Sequence, residues 1–222
     1  MQKSISIIRG SREESYKNFH LRIIELTNRI KDLNPGKIHY TITLEKAPKL
    51  SVIPYSSKKI ALISVHSDSF DPSELLKDTV GSSGSFRVTE ALPVAYQKTW
   101  EDGEATPGVC LLTLFRQKKG ISNDTFIDRW HNGHTPFTLK VHPIYHYNRN
   151  VVDEAIDKGP IWYDGIVEEH CRTRNELLNP FKFFAKSGFA PINMIKTYFD
   201  VNSFIDYKSI ETYLVQEFVV IG

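Results

Sequence analysis

The sequence FIDRWHNGHTP at residues 126–136 carries most of the information about the fold, because it places an aromatic side chain and two imidazoles near the end of a short helix. Before it, residues 109–116 have the continuous apolar character of a buried strand, and Ser122 is placed to cap the helix. The apolar residues of this helix, Trp130 among them, share one face, and Gly133 is expected to end it. Histidine exchanges protons near neutral pH, so we expect chemistry here.

Three further motifs follow in the C-terminal half of the chain. They are YHYNRNVV at residues 145–152, YDG at 163–165 opening a strand that runs through Glu168, and a closing strand, TYLVQEFVVI, at 212–221. In this order and spacing, residues 108–222 resemble the EthD family.

The resemblance implies an α+β fold, in which a ferredoxin-like βαββαβ unit of the dimeric α/β-barrel type places two four-stranded sheets face to face around a cavity. Residues 1–107 show the same order of predicted elements, including a helix whose apolar residues recur every three or four positions from Tyr16 to Leu33. We therefore predict two ferredoxin-like units in tandem, a degenerate half at 1–107 and an EthD-like half at 108–222. Their boundary is predicted in the glycine-containing segment 103–108.

Composition excludes several classes of protein. The chain has 222 residues, of which 41% are hydrophobic and 24% are charged, with 28 Lys and Arg against 26 Asp and Glu. This balance predicts neither nucleic acid nor a membrane surface as a partner. No apolar run has the length of a signal peptide or a membrane span, so we expect a cytoplasmic location. Most proteins of the implied type build their barrel from two chains, so a homodimer is retained as a possible assembly.

The catalytic candidates are His134, Asp164 and Glu168, each of which matches a motif position of the resembled family. His134 is either a general acid/base inside the barrel or a helix-end histidine that satisfies a backbone carbonyl. Asp164 and Glu168 can orient an imidazole or take a proton, since an apolar cavity raises the pKa of a carboxyl group. Asp164 is equally well explained as a turn residue before Gly165.

The substrate-binding candidates are Trp130, His146, Tyr147 and Asn148. Strand alternation puts His146 and Asn148 on one side, with Asn150, and Tyr147 on the other. This polar row indicates a cavity lining, although an edge facing solvent would give the same pattern. Trp130 is expected to form the cavity floor by packing, or to contact the substrate directly.

Histidines at positions 131, 134, 142 and 146 superficially resemble a metal-ligand series. Pro143 argues against one helical face for the last two, because the residue before a proline is driven out of the helical region. We therefore predict no metal and no other cofactor. A barrel with one helix-borne imidazole can also hold a haem, which we retain as an alternative.

The two cysteines, Cys110 and Cys171, are expected to be reduced thiols. If they lie at opposite ends of parallel neighbouring strands, they are roughly 20 Å apart at about 3.3 Å per residue. A disulfide needs Cα atoms within about 7 Å.

These observations predict an EthD-like protein that performs cofactor-free proton transfer, of the dehydratase, decarboxylase or cyclase type. The substrate is expected to be a small apolar or aromatic carbonyl compound in the barrel cavity. His134 would move the proton, and Asp164 or Glu168 would orient the His134 imidazole. His146 and Asn148 would hold the substrate oxygens. The alternatives are a non-catalytic binding or accessory protein, or a haem-binding barrel.

Overall fold

Runs of apolar and β-branched residues form eight strands in a computed structural model that describes residues 1–49, 51–157 and 161–222. The strands are β1 (Gln2–Arg9), β2 (Lys37–Ile42), β3 (Ile60–Ser67), β4 (Ser82–Val94), β5 (Val109–Phe115), β6 (Ile144–Ala155), β7 (Gly165–Cys171) and β8 (Glu211–Ile221). All neighbouring pairs are antiparallel, and together they close a barrel in the order β1-β3-β2-β8-β5-β7-β6-β4.

The predicted fold class, an α+β pair of ferredoxin-like units with two facing sheets, is wrong. The edge strands do not stay free: β2 pairs with β8 and β4 pairs with β6, so that the strands form one closed β-barrel with small helices around it. Residue patterns identify strands and their buried faces, but they do not reveal which strand edges form hydrogen bonds with each other. The predicted boundary between 1–107 and 108–222 stays a prediction.

The helices lie outside the barrel. They are α1 (Tyr16–Lys31), α2 (Ser73–Leu76), α3 (Asn123–Asp128), α4 (Thr135–Val141), α5 (Arg174–Leu178), α6 (Pro180–Phe183) and α7 (Ala190–Phe204). The Ser15 and Ser122 hydroxyls cap α1 and α3 by accepting hydrogen bonds from backbone amides. No helix within the described ranges combines the length and the apolar character needed to cross a membrane.

Gly133 does not end a helix, contrary to the prediction. Residues Arg129–His134 form a π-helical turn that joins α3 to α4, and the chain becomes extended only at His142. Single π-helical turns inside α-helices occur frequently at functional sites, because the wider turn redirects side chains. Here the turn carries both Trp130 and His134.

Strand alternation divides the core into an inner and an outer layer. One end of the barrel interior is apolar and includes Ile7, Leu62 and Leu114. The other end holds buried polar side chains, and the outer layer packs the sheet against the helices. The buried polar residues at this end of the interior are Lys3, Thr41, Ser64, His146, Asn148, Asn150, Glu168, His170 and Glu217. Half-buried polar residues lie beside them, namely His39, His66 and Glu90.

The predicted geometry of the cysteines is also wrong. Strands β5 and β7 are antiparallel, with Val109 opposite Cys171 and Cys110 opposite His170, so the two cysteines are close in register instead of far apart. Cys110 nevertheless faces the barrel interior and Cys171 the outer layer, because adjacent register positions point to opposite faces. Both thiols are free and buried.

Candidate functional site

An apolar cavity of about 550 Å³ lies outside the barrel, between α7 and the outer faces of β5, β6 and β7. It is therefore not the barrel cavity that the sequence predicted. Most of the lining is aliphatic or aromatic, and this is typical of a site for a small organic ligand. The polar and charged side chains at its wall include Glu169, His142, His134 and Tyr147.

Glu169 is the most unusual of these side chains. It is buried, and no hydrogen bond to its carboxyl is formed within the described part of the chain. The imidazole of His142 is nearby, with Nδ1 4.0 Å from Glu169 Oε1. Burial raises the pKa of Glu169 to about 8 and lowers the pKa of His142 to about 3. Between these values both groups are neutral, so they do not form an ion pair.

Tyr147 lies directly beside Glu169. The two residues are cross-strand partners on β6 and β7, and both line the cavity. Burial is the main cause that raises the pKa of the Tyr147 phenol, and the neighbouring Glu169 raises it further. The Tyr147 hydroxyl therefore stays protonated and keeps a hydrogen to donate.

His134 also lines the cavity, but both of its ring nitrogens have partners. Nδ1 is 2.6 Å from Asp200 Oδ2 on α7, and Nε2 is 3.1 Å from the Thr138 hydroxyl on α4. The carboxylate that orients the imidazole is thus Asp200, instead of the predicted Asp164 or Glu168. This arrangement ties the π-helical turn to α7 across the cavity wall.

The structure does not bring the other two predicted catalytic residues to His134. Asp164 accepts hydrogen bonds from the Gln117 amide and the Trp162 indole, both at 2.8 Å, and so orders the turn before β7. Glu168 points into the barrel, where neither carboxylate oxygen has a hydrogen-bond partner among the described residues. Burial raises the pKa of Glu168 to about 7.

The predicted substrate-binding residues separate into two groups. Trp130 and Tyr147 line the outer cavity, whereas His146 and Asn148 are buried at the polar end of the barrel interior. The Asn148 amide donates to Glu90 Oε1 at 2.9 Å, which joins it to a buried network. The histidine series separates in the same way, because His134 and His142 line the outer cavity while His146 faces inward.

Trp130 is fully buried, and its ring packs edge-on against Phe115 with centroids 4.9 Å apart. This packing requires a glycine at position 165, since a Cβ there would lie 2.3 Å from the Phe115 ring and 2.8 Å from the Trp130 ring. Trp130 also lines the outer cavity, on the side of the π-helical turn.

Sequence reasoning missed three residues of the outer site: Glu169, His142 and Asp200. Glu169 was within reach of the prediction, because the alternation that turns Glu168 inward necessarily turns Glu169 outward. His142 was considered only as a metal ligand. No local sequence pattern pointed to Asp200, since it lies 66 residues after His134 in the sequence.

Comparison with known proteins supports the fold alone. No family model matches the chain, and no curated protein matches it. Among solved structures, the chain is similar to one described as an anthrone oxidase-like protein, with a TM-score of 0.61 and 10% sequence identity, over 99% of this chain and 93% of that one. The predicted EthD domain therefore has no support from a family match, and the ferredoxin-like description is replaced by the closed β-barrel.

Proposed function

We propose that the protein binds a small, mostly apolar carbonyl compound in the outer cavity and moves a proton on it with Glu169. The observation that supports this proposal is an unpaired carboxyl group inside an apolar cavity. Burying a carboxyl group without a hydrogen-bond partner lowers the stability of a protein. Such a group is retained most readily where a ligand uses it.

The proposed step needs only two side chains. Glu169 acts in its ionised form, which predominates above its pKa of about 8. The carboxylate takes a proton from the carbon next to the substrate carbonyl, and the electron pair of the broken C–H bond moves to the carbonyl oxygen. The Tyr147 hydroxyl donates a hydrogen bond to that oxygen, where negative charge develops. Glu169 then returns the proton to carbon or to oxygen. The protons and electrons therefore balance without an oxidant or a cofactor.

The description of the structural neighbour as an anthrone oxidase-like protein suggests anthrone as a probe. Anthrone is a tricyclic aromatic ketone, and its methylene group loses a proton readily because the resulting enol is aromatic. Its flat apolar rings match a cavity lined by residues such as Trp130, Phe204 and Tyr198. Exchange of its methylene protons for deuterium reports the proposed step without any further reaction.

The test is proton NMR of anthrone in deuterated buffer without oxygen, above the Glu169 pKa of about 8, with and without the full chain. We expect the protein to accelerate methylene exchange, and Glu169→Gln to reduce this acceleration by roughly 10² to 10⁴, the contribution of a positioned acid/base. The matched control is Glu168→Gln. It also removes a buried carboxyl group, but Glu168 faces the barrel interior, so this substitution should leave the acceleration unchanged. Equal rates for the Glu169→Gln variant and the wild type would refute the proposal.

A second candidate function is binding without catalysis. The engaged nitrogens of His134 favour it, because a satisfied imidazole is not free to act on a ligand or to bind a haem iron. If the wild type binds anthrone, as measured by tryptophan fluorescence, but does not accelerate exchange, the cavity is a carrier site. If binding and acceleration both occur and only acceleration is lost in Glu169→Gln, the carrier function is excluded.

A further inference from the structure

A second cluster of titratable side chains lies at the polar end of the barrel interior, on the opposite side of the sheet from the outer cavity. His146 on β6, His170 on β7 and Glu217 on β8 each offer one ligand atom, and these atoms all lie within 4.8 Å of one another. We propose that these three residues bind one divalent first-row transition ion, such as Zn²⁺. This inference does not rest on the proposed function.

Strand register places the three residues together. His146 and His170 are direct cross-strand partners, and their rings are 4.9 Å apart in an edge-on arrangement. Glu217 reaches them from β8 across β5, where the intervening inward residue is the small Cys110. All three side chains are at most 5% exposed.

The hydrogen-bond pattern leaves ligand atoms free. His146 Nδ1 and His170 Nε2 are buried and have no partner among the described residues. A buried nitrogen without a partner is unfavourable, and binding an ion would satisfy both. Glu217 is held by two hydroxyl groups on one oxygen, since Oε2 accepts from Tyr96 at 2.9 Å and from Thr106 at 2.6 Å.

These hydrogen bonds resemble the outer shell of known metal sites, in which neighbouring groups orient each ligand. Ligand atoms bound at about 2.1 Å from an ion are at most about 4.2 Å apart, so small side-chain rotations close the cluster around one ion. Two imidazoles and a carboxylate suit Zn²⁺ and its neighbours in the first transition row, whereas Mg²⁺ and Ca²⁺ prefer oxygen ligands. Three protein ligands also leave a position open for water or a ligand.

Tyr96 connects this site to the surface. Its ring packs on His146 with centroids 4.2 Å apart, and it also lines a surface pocket of about 480 Å³ together with Trp100, Tyr145 and Arg172. Tyr96 therefore lies between the pocket and the three ligands.

The test is titration of the chelator-treated full chain with Co²⁺, a spectroscopic substitute for Zn²⁺. We expect one equivalent to bind, with visible d–d absorption that one equivalent of Zn²⁺ abolishes. His170→Gln and Glu217→Gln should each remove the one-to-one complex. His66→Gln should retain it, because His66 is an inward-facing histidine that pairs with Glu90 instead.

Tyr96→Phe provides the finer test, because it keeps the ring and removes the hydroxyl that orients Glu217. We expect Co²⁺ affinity to fall by about 10 to 100-fold, the usual effect of losing an outer-shell partner. The absence of one-to-one Co²⁺ binding by the wild type would overturn the proposal. Unchanged binding in a folded Glu217→Gln or His170→Gln variant, with folding checked by circular dichroism, would overturn it as well.

Discussion

Replacement of His142 by phenylalanine should make the protein more resistant to acid. His142 is buried and lies against the rings of Phe183 and Phe184, with centroids 4.0 and 5.0 Å away. Neither of its ring nitrogens has a hydrogen-bond partner among the described residues. A phenyl ring therefore fits an aromatic environment without breaking a hydrogen bond.

The magnitude follows from the pKa of His142. Burial lowers it to about 3, whereas a histidine in the unfolded chain titrates at about 6.5. As the pH falls below 6.5, the unfolded state binds a proton that the folded state excludes, so the free energy of unfolding decreases until the pH reaches the folded pKa. The loss is about 1.4 kcal/mol per pH unit. Between pH 6.5 and pH 4, His142 should therefore remove roughly 3 kcal/mol of stability.

Urea denaturation of the wild type and of His142→Phe at pH 7, 5.5 and 4 measures this effect. An effect of the substitution on the free energy of unfolding that does not depend on pH is the same in all three measurements. The titration of other groups contributes equally to both proteins and cancels in the difference. The difference between their free energies of unfolding should thus change by roughly 3 kcal/mol in favour of the variant as the pH falls to 4. Parallel pH dependence in the two proteins would show that His142 is not buried in its neutral form.

Three further predictions concern the packing around the two sites. Trp130→Ala should lower the free energy of unfolding by about 3–5 kcal/mol in urea denaturation, because it empties a fully buried ring site; a loss below 1 kcal/mol would contradict this packing role. His134→Phe should lower it by about 1–3 kcal/mol, since Asp200 loses its partner, and an unchanged midpoint would show that this contact contributes nothing. Thiol reagents should modify Cys110 and Cys171 slowly in the native protein, because burial raises the pKa of both thiols; rapid colour development before unfolding would refute their burial.

Local patterns predicted the elements better than their arrangement. The alternation at residues 145–152 correctly put His146 and Asn148 on one face and Tyr147 on the other. It did not tell whether the polar face was a cavity lining or an edge, because that depends on closure of the barrel. Closure comes from hydrogen bonds between β2 and β8 and between β4 and β6, which join segments far apart in the chain.

The same distinction applies to the site. The region around Trp130 and His134 borders a cavity, but this cavity lies outside the barrel and not in the predicted interior. The carboxyl group was assigned to Asp164 or Glu168, and the structure places Glu169 in that cavity instead. Which of two adjacent residues faces the ligand depends on whether the ligand binds inside or outside the barrel, and the sequence pattern is identical in both cases.

The position of bound anthrone is the most direct test of the proposed site. In a crystal structure of the complex, we predict the rings in the outer cavity, the ketone oxygen about 2.7–3.0 Å from the Tyr147 hydroxyl, and the methylene carbon against the Glu169 carboxyl. Anthrone held inside the barrel, or bound in the outer cavity with its methylene carbon away from Glu169, would contradict the account.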